Sequence, residues 1–376
     1  MKMEYKKISE VTTVVTGGTP STSVSEYWDN GTIPWLQSGC CQNCDVNHAE
    51  KFITQAGHDN SSTRLMPKDT VMIALTGATA GKIGYLNFEA CGNQSITGIF
   101  PCKKINQRFL YYYLLSKRNK ILADCVGGAQ VHISQGYVKN IEIPLLDLSE
   151  QNEMVEVLDR ISKVISSRKQ EIKKLDNLIK ARFVKMFGDP VHNPYGWNKP
   201  ELKELADLKI GPFGSLLHKE DYVEGGHALV NPSHIVEGRI IIDPKLTISE
   251  EKYEELSAYH LKVGDIVMGR RGEMGRCAVV EEEGLLCGTG SLLIRPKGKV
   301  TADYIQKIIS YPTFKKTIEN MAVGQTMPNL NVPIVSGFRI ITPPIEVQNS
   351  YYDFVAQVDK SKVAVINTRH YGVKIY

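Results

Sequence analysis

Between Ser149 and Phe187 the chain has no Gly and no Pro, and its apolar residues fall on a seven-residue repeat. Leu158, Ile165, Ile172, Ile179 and Met186 form one series. Met154, Ile161 and Leu175 form a second, each four residues before a member of the first. Arg168 and Arg182 hold the remaining places of the second series, where their stems can line a seam while the charge stays in water. This alternating three-and-four spacing predicts a coiled-coil helix rather than an ordinary surface helix. Ser149 is the expected N-cap, and Gly188, Asp189 and Pro190 end the helix through a left-handed turn and a residue that cannot continue it. At 1.5 Å per residue the stretch makes a rod of roughly 58 Å. Such a rod is too long to lie inside one small domain and is expected to separate two, so residues 149–188 are read as a central helix.

The flanking regions share a plan. Residues 1–148 show strand-like pieces at Thr70–Leu75 and Gln94–Phe100 and a helix over Asn106–Leu122, with Gly-rich stretches from Gly17 and Thr76, the pattern of a compact α+β domain with long loops. Residues 189–343 repeat it. Asp69 before VMIALTGATAGKIG is echoed by Asp265 before IVMGRRGEMGRCA, and 265 − 69 is 196. The helix at Asn106–Leu122 is echoed at Thr301–Asn320, and GGAQVHIS at Gly127–Ser134 by GQTMPNLN at Gly324–Asn331. IPLLDLSEQN with Gln151 is echoed by TPPIEVQN with Gln348, and 348 − 151 is 197. Four matches in one order at nearly one offset indicate a duplicated unit of about half the chain. The second copy again leads into a helix, from Ile345 to about Asn367, with Val347, Tyr351, Phe354, Val358 and Val365 on the seam spacing.

Composition adds limits. At 376 residues the chain suits two domains, and 42% hydrophobic with 23% charged residues describes a soluble globular protein. The net charge of +4 permits an anionic partner without demanding one. The opening MKMEYKKISE lacks the apolar core of a signal peptide, and no apolar run is long enough for a membrane span. Eight Cys without a signal peptide suggest free thiols in a reducing compartment, the cytoplasm.

Catalytic motifs are weak. GATAGKI at Gly77–Ile83 has three residues between its glycines and Ile83 after Lys82, where a phosphate loop needs four and a Ser or Thr. Cys40, Cys41, Cys44 and His48 are close in sequence, but no second CxxC completes a structural zinc site. GxSxG and HExxH are absent. No glycine-rich cofactor loop follows a first strand, and the Asn-Pro-Pro-aromatic motif of amino-methyltransferases is missing. What the two halves do share is Gly-rich loops with polar tips. Thr76, Thr79, Lys82, Gln130 and His132 stand in the first; Arg270, Arg271, Arg276, Gln325, Thr326 and Asn329 in the second. Gly lets a backbone approach a duplex, Arg reads guanine edges, Gln and Asn read adenine edges, and Lys holds phosphates. Two such readers on a rigid spacer suit two separated half-sites.

This order of parts resembles the specificity (S) subunit of type I restriction-modification systems. The residues that carry the likeness run from Ile143 to Trp197, with TPPIEVQNSYYDFVAQVDKSKV near the end and GTPSTSVSEYWDNGTIPWLQSG from Gly18 to Gly39. The resemblance implies an α+β architecture of two target-recognition domains, related by an internal pseudo-twofold repeat and spaced by two long antiparallel helices. It implies a non-catalytic chain that reads a bipartite site on double-stranded DNA and docks two modification subunits. Those subunits would use S-adenosylmethionine; restriction subunits with ATP and magnesium would complete the complex. No cofactor or metal is expected on this chain itself. One departure stands out: nothing after Val365 matches the KQEIKKLDNLIKARFVKMFG half of the central helix, so the distal region, 344–376, looks truncated. The competing readings are a coiled-coil scaffold that does not read DNA and a stand-alone nuclease or methyltransferase.

Overall fold

A computed structural model describes residues 4–124, 132–212, 216–272, 275–322 and 329–367. The chain divides into two compact units, Met1–Ser167 and Arg168–Tyr376. Each has two main sheets and a separate two-stranded pair, with four strands of one main sheet and three of the other in the same order.

In the first unit one sheet runs, in spatial order, Val14–Thr16, Ile96–Ile99, Val71–Ala74, Ile83–Leu86 and Cys44–Val46. Its pairs are antiparallel except the last, which is parallel. The second sheet is Lys51–Ile53, Ile33–Leu36, Ala90–Gly92 and Leu65–Met66, with its middle pair parallel. The central strands are buried on both faces, so they read as unbroken apolar runs rather than alternating ones. The strand expected at Gln94–Phe100 is shorter, Ile96–Ile99. Asn93 Oδ1 accepts from the Ser95 amide at 3.1 Å, and this local turn takes Gln94 and Ser95 out of the sheet.

The second unit repeats the order with Ala206–Ile210, Ser291–Pro296, Ile266–Gly269 and Cys277–Val279 in one sheet, and Tyr222–Val223, Thr247–Ile248, His227–Val230 and Leu286–Cys287 in the other. The parallel pair recurs between His227–Val230 and Leu286–Cys287. The repeat reaches single atoms. A Cβ on Gly17 would lie 2.0 Å from the Gly92 carbonyl oxygen, and one on Gly211 would lie 2.1 Å from that of Gly288. Both positions exclude any side chain.

Two sequence expectations shift here. Asp69 is matched in space by Gly264, not Asp265. Both adopt positive φ, 68° and 88°, and donate their amides to Leu86 and Val280 at 2.7 and 2.9 Å. Asp265 instead lies buried and binds the Arg295 guanidinium through two bonds of 2.6 and 2.8 Å. The helix expected over Thr301–Asn320 is two helices, Ala302–Ile309 and Pro312–Ala322. Pro312 has no N–H to donate and begins a helix instead of continuing one.

The central helix spans Leu148–Phe187. It starts one residue before Ser149, which therefore lies inside its first turn; Glu150 accepts the Asp147 amide at 3.2 Å. Gly188 closes it at φ 75°. The distal helix spans Ile345–Asn367.

Each unit fastens a helix to its own domain with a buried glutamine. Gln151 Oε1 accepts the Asn106 amide at 2.8 Å while its Nε2 donates to the Leu146 carbonyl, also at 2.8 Å. Gln348 Oε1 accepts the Thr301 amide at 3.1 Å while its Nε2 donates to the Pro343 carbonyl at 2.9 Å. Both side chains are fully buried. Removing either amide would strand buried backbone groups, at a cost of about 1–3 kcal/mol each. In the first unit Tyr112 adds a 2.6 Å bond to Asp159, and burial together with that carboxylate pushes its phenol up to about 12.

The seam residues divide by unit. In the second, Ile179 is buried with Phe183 and Phe187 in one core with Tyr304, Phe338, Tyr351 and Val358, while Leu175, Met186 and Phe354 pack half-buried against it. Arg182 lies over the Phe354 ring at 5.3 Å, and Lys362 pairs with Asp176 at 2.8 Å, so the two helices run antiparallel there. Ile172 is half-buried. In the first unit Leu158, Ile161 and Ile165 are half-buried. Met154, expected on the seam, is instead 45% exposed, and Val155 is buried in its place. Phe183 and Phe187 likewise stand one position beyond the expected Arg182 and Met186. A heptad count assumes one facing helix. Here a domain wall faces the helix as well, and the buried stripe moves towards it.

Candidate nucleic-acid interface

In each unit three loops meet at the end of a central strand, Val71–Ala74 in the first and Ile266–Gly269 in the second. In the first, the Gly-rich loop Thr76–Lys82 joins Val71–Ala74 to Ile83–Leu86. Gly77 and Gly81 carry φ of 73° and 71°, and a Cβ on Gly81 would strike the Leu122 side chain at 2.9 Å. The loop root is clamped from both sides by main chain: Leu75 N–H donates to the Ser95 carbonyl at 2.8 Å, and Ile133 N–H donates to the Leu75 carbonyl at 2.9 Å. Thr76 bridges His132 through the backbone and donates from Oγ1 to Ser95 Oγ at 2.8 Å.

The second unit builds the same clamp. Arg270 N–H donates to the Gly290 carbonyl and Leu330 N–H to the Arg270 carbonyl, each at 3.0 Å. The repeat thus brings the 76–82 loop together with residues 93–95 and 132–134, and the 270–276 loop with residues 288–291 and 329–331.

The tips differ in chemistry. In the first unit Thr76 and Thr79 are half-buried, His132 is exposed, and Lys82 Nζ is held by Gln42 Oε1 at 2.6 Å. In the second, Arg270 Nε donates to the Leu330 carbonyl at 2.9 Å and Arg276 Nη1 to the Pro232 carbonyl at 3.2 Å. Burial and the adjacent Arg271 charge pull the Arg270 pKa down; an arginine keeps its proton regardless. Arg271 is exposed. Asn329 is half-buried beside the clamp. Gln130, Gln325 and Thr326 lie outside the described residues.

Sequence reasoning missed the third loop. Gln94 and Thr289 are exposed at equivalent tips; Gln94 accepts from Thr19 and Thr289 Oγ1 donates to the Pro212 carbonyl at 3.0 Å. Asn93, which folds the turn, was the available signal. Gln42 was missed too, because nothing local links it to Lys82, 40 residues away.

What the geometry offers is two rigidly rooted sets of polar tips, one Thr/Lys/His and one Arg-rich. Among the described residues no helix is long and apolar enough to cross a membrane.

Comparison with known proteins agrees with this arrangement. The type I restriction modification DNA specificity domain matches twice, over residues 1–177 and 194–374. The MjaIX specificity subunit of Methanocaldococcus jannaschii is 24% identical, with 94% of this chain and 85% of that protein covered. The EcoKI specificity subunit of Escherichia coli is 21% identical over 91% of this chain and 78% of its own length. The type I S subunit structure from M. genitalium superposes with a TM-score of 0.57 at 16% identity, covering 98% of this chain and 92% of that one. A structure from a study of type I complex assembly gives 0.58 at 17% identity, covering 97% and 93%. With two copies of the domain spanning nearly its whole length, the chain belongs to the type I restriction-modification DNA specificity family.

Proposed function

We propose that each unit reads one part of a bipartite site on double-stranded DNA through its clamped loop tips. The central and distal helices set the gap and dock two modification subunits. The chain itself performs no chemistry. Methyl transfer from S-adenosylmethionine to adenine belongs to the modification subunits, and ATP- and magnesium-dependent translocation and cleavage to restriction subunits, in the cytoplasm. The observation that carries this reading is the duplicated loop clamp with unlike tips. The backbone framework is repeated, so the two units would approach DNA in the same way, while the side chains at the tips would answer to different bases.

Methylation-sensitive sequencing of genomic DNA from a host expressing the complex tests this. The reading expects methylated adenines in one motif made of two short specified parts with an unspecified gap of constant length. A single uninterrupted motif, or no motif that depends on this chain, would overturn it.

A further inference from the structure

Three cysteines crowd one corner of the first unit. Cys40 Sγ lies 4.0 Å from Cys41 Sγ, and Cys44 follows at the start of an edge strand. All three are free thiols. Cys41 is buried under the sheet, its sulfur 3.3 Å from where a Cβ on Gly84 would sit. Cys40 is half-buried and opens on a surface cleft that Cys44 and His48 also line. The two residues between Cys41 and Cys44 are tied to the Gly-rich loop. Gln42 holds Lys82, while Asn43, at φ 58°, donates its amide to the Ile83 carbonyl at 2.8 Å and accepts the Ile83 amide on Oδ1 at 3.0 Å.

We propose that Cys40 and Cys41 are a redox-modifiable dithiol, closed to a disulfide by a peroxide, and that closure withdraws Gln42 from Lys82 and weakens reading by the first unit. The consequence for DNA rests on the function proposed above; the thiol chemistry does not.

The two sulfurs are suited to different steps. The contact between the two sulfurs lowers the Cys40 pKa, whereas that same contact, followed by burial, raises Cys41, and Cys40 is the one of the two that opens on the cleft. Cys40 is therefore the thiolate that attacks and Cys41 the thiol that resolves. The Cys40 thiolate attacks one oxygen of hydrogen peroxide; the O–O bond breaks, the leaving hydroxide takes a proton and departs as water, and Cys40 becomes a sulfenic acid. The Cys41 sulfur then displaces the sulfenic oxygen, which leaves with the Cys41 proton as a second water. The two thiols lose two electrons and the peroxide gains them. To bond, the sulfurs must approach each other by about 2 Å, and because adjacent Cα atoms, about 3.8 Å apart, are closer than the usual span of a disulfide, closure must also move the backbone between them. Cys41 leads directly into Gln42, so this movement is delivered to the residue that holds Lys82. The second unit has no counterpart: His234 and Ile235 stand in the matching strand-end turn.

The test uses the full chain treated with hydrogen peroxide, with free thiols then alkylated and mapped by mass spectrometry. The expected product has Cys44 alkylated and Cys40 and Cys41 protected until dithiothreitol is added. It should form unchanged in Cys44→Ser and not at all in Cys40→Ser or Cys41→Ala, whose thermal denaturation is checked against the parent. A Cys40–Cys44 bridge, or over-oxidation of Cys40 with Cys41 still free, would overturn the assignment. In the assembled complex, peroxide should lower discrimination at the first half-site by at least about fivefold, equivalent to about 1 kcal/mol, reversibly and not in Cys40→Ser. Discrimination at the second half-site should stay constant. A disulfide that leaves both half-sites unchanged would overturn the coupling. If the untreated complex showed no sequence-specific binding, the coupling and the proposed function would both fall, and the thiol mapping would still decide the chemistry.

Discussion

Of the three arginines around the second Gly-rich loop, only Arg271 is exposed. Arg270 and Arg276 are held by the Leu330 and Pro232 carbonyls. A free planar fork at a loop tip suits a guanine edge. Arg271→Ala should therefore cost about 1–3 kcal/mol at one base position of the second half-site, measured on duplexes with single substitutions. A small uniform loss over all duplexes would assign it to a phosphate instead. His227 sets a different residue-scale expectation. It stacks on Tyr253 at 3.8 Å between centroids, with Nε2 2.7 Å from Glu250 and Nδ1 3.0 Å from the Gly284 carbonyl. The bond to Glu250 raises its pKa above 6.5, with burial opposing and the Gly284 carbonyl and Glu254 assisting. A raised folded-state pKa means the stabilisation is fully present below pH 6.5 and is lost as pH rises through the raised value. Thermal denaturation of the second unit should show that decline, and His227→Gln should flatten it. Parallel pH profiles for parent and variant would contradict the assignment.

At the scale of elements, the central helix was legible from its spacing and its Gly-Asp-Pro stop, and the duplication from nearly constant offsets. The loop clamps were not legible. They are made by main-chain amides and carbonyls of Leu75, Ile133, Arg270 and Leu330, which leave no signature in side-chain type. Nor could heptad counting find Val155, Phe183 and Phe187, because their burial depends on a domain wall and not on the partner helix alone. The two halves of the central helix now differ visibly. Ile179, Phe183 and Phe187 are buried, whereas among the described apolar residues of the first half only Val155 is, with Leu158, Ile161 and Ile165 half-buried and Met154 45% exposed. Local opening is easier where fewer apolar contacts hold a helix. Amides of residues 150–164 should exchange faster than those of 168–186 in the isolated chain. A second copy of residues 169–187 appended after Val365 should slow them, by continuing the antiparallel register seen at Lys362 and Asp176. Equal protection along the whole helix without oligomerisation would show that register to be wrong.

At the scale of the whole molecule, the proposed function requires two independent readers built on one framework. The framework is repeated down to the Gly17 and Gly211 contacts, the Asp69 and Gly264 turns and the Gln151 and Gln348 ties. The tips are not repeated. The part legible in the sequence was therefore the plan and the candidate loops; which tip atoms stay free for a base became visible only through partners distant along the chain, such as Gln42 for Lys82 and Leu330 for Arg270. The most direct test of the central claim exchanges residues 1–148 for the corresponding domain of a relative with a known target and determines the methylated motif of the resulting complex. One half of the motif should change to the relative's, while the other half and the gap stay as they were. A change in both halves, or in neither, would contradict the two-reader account.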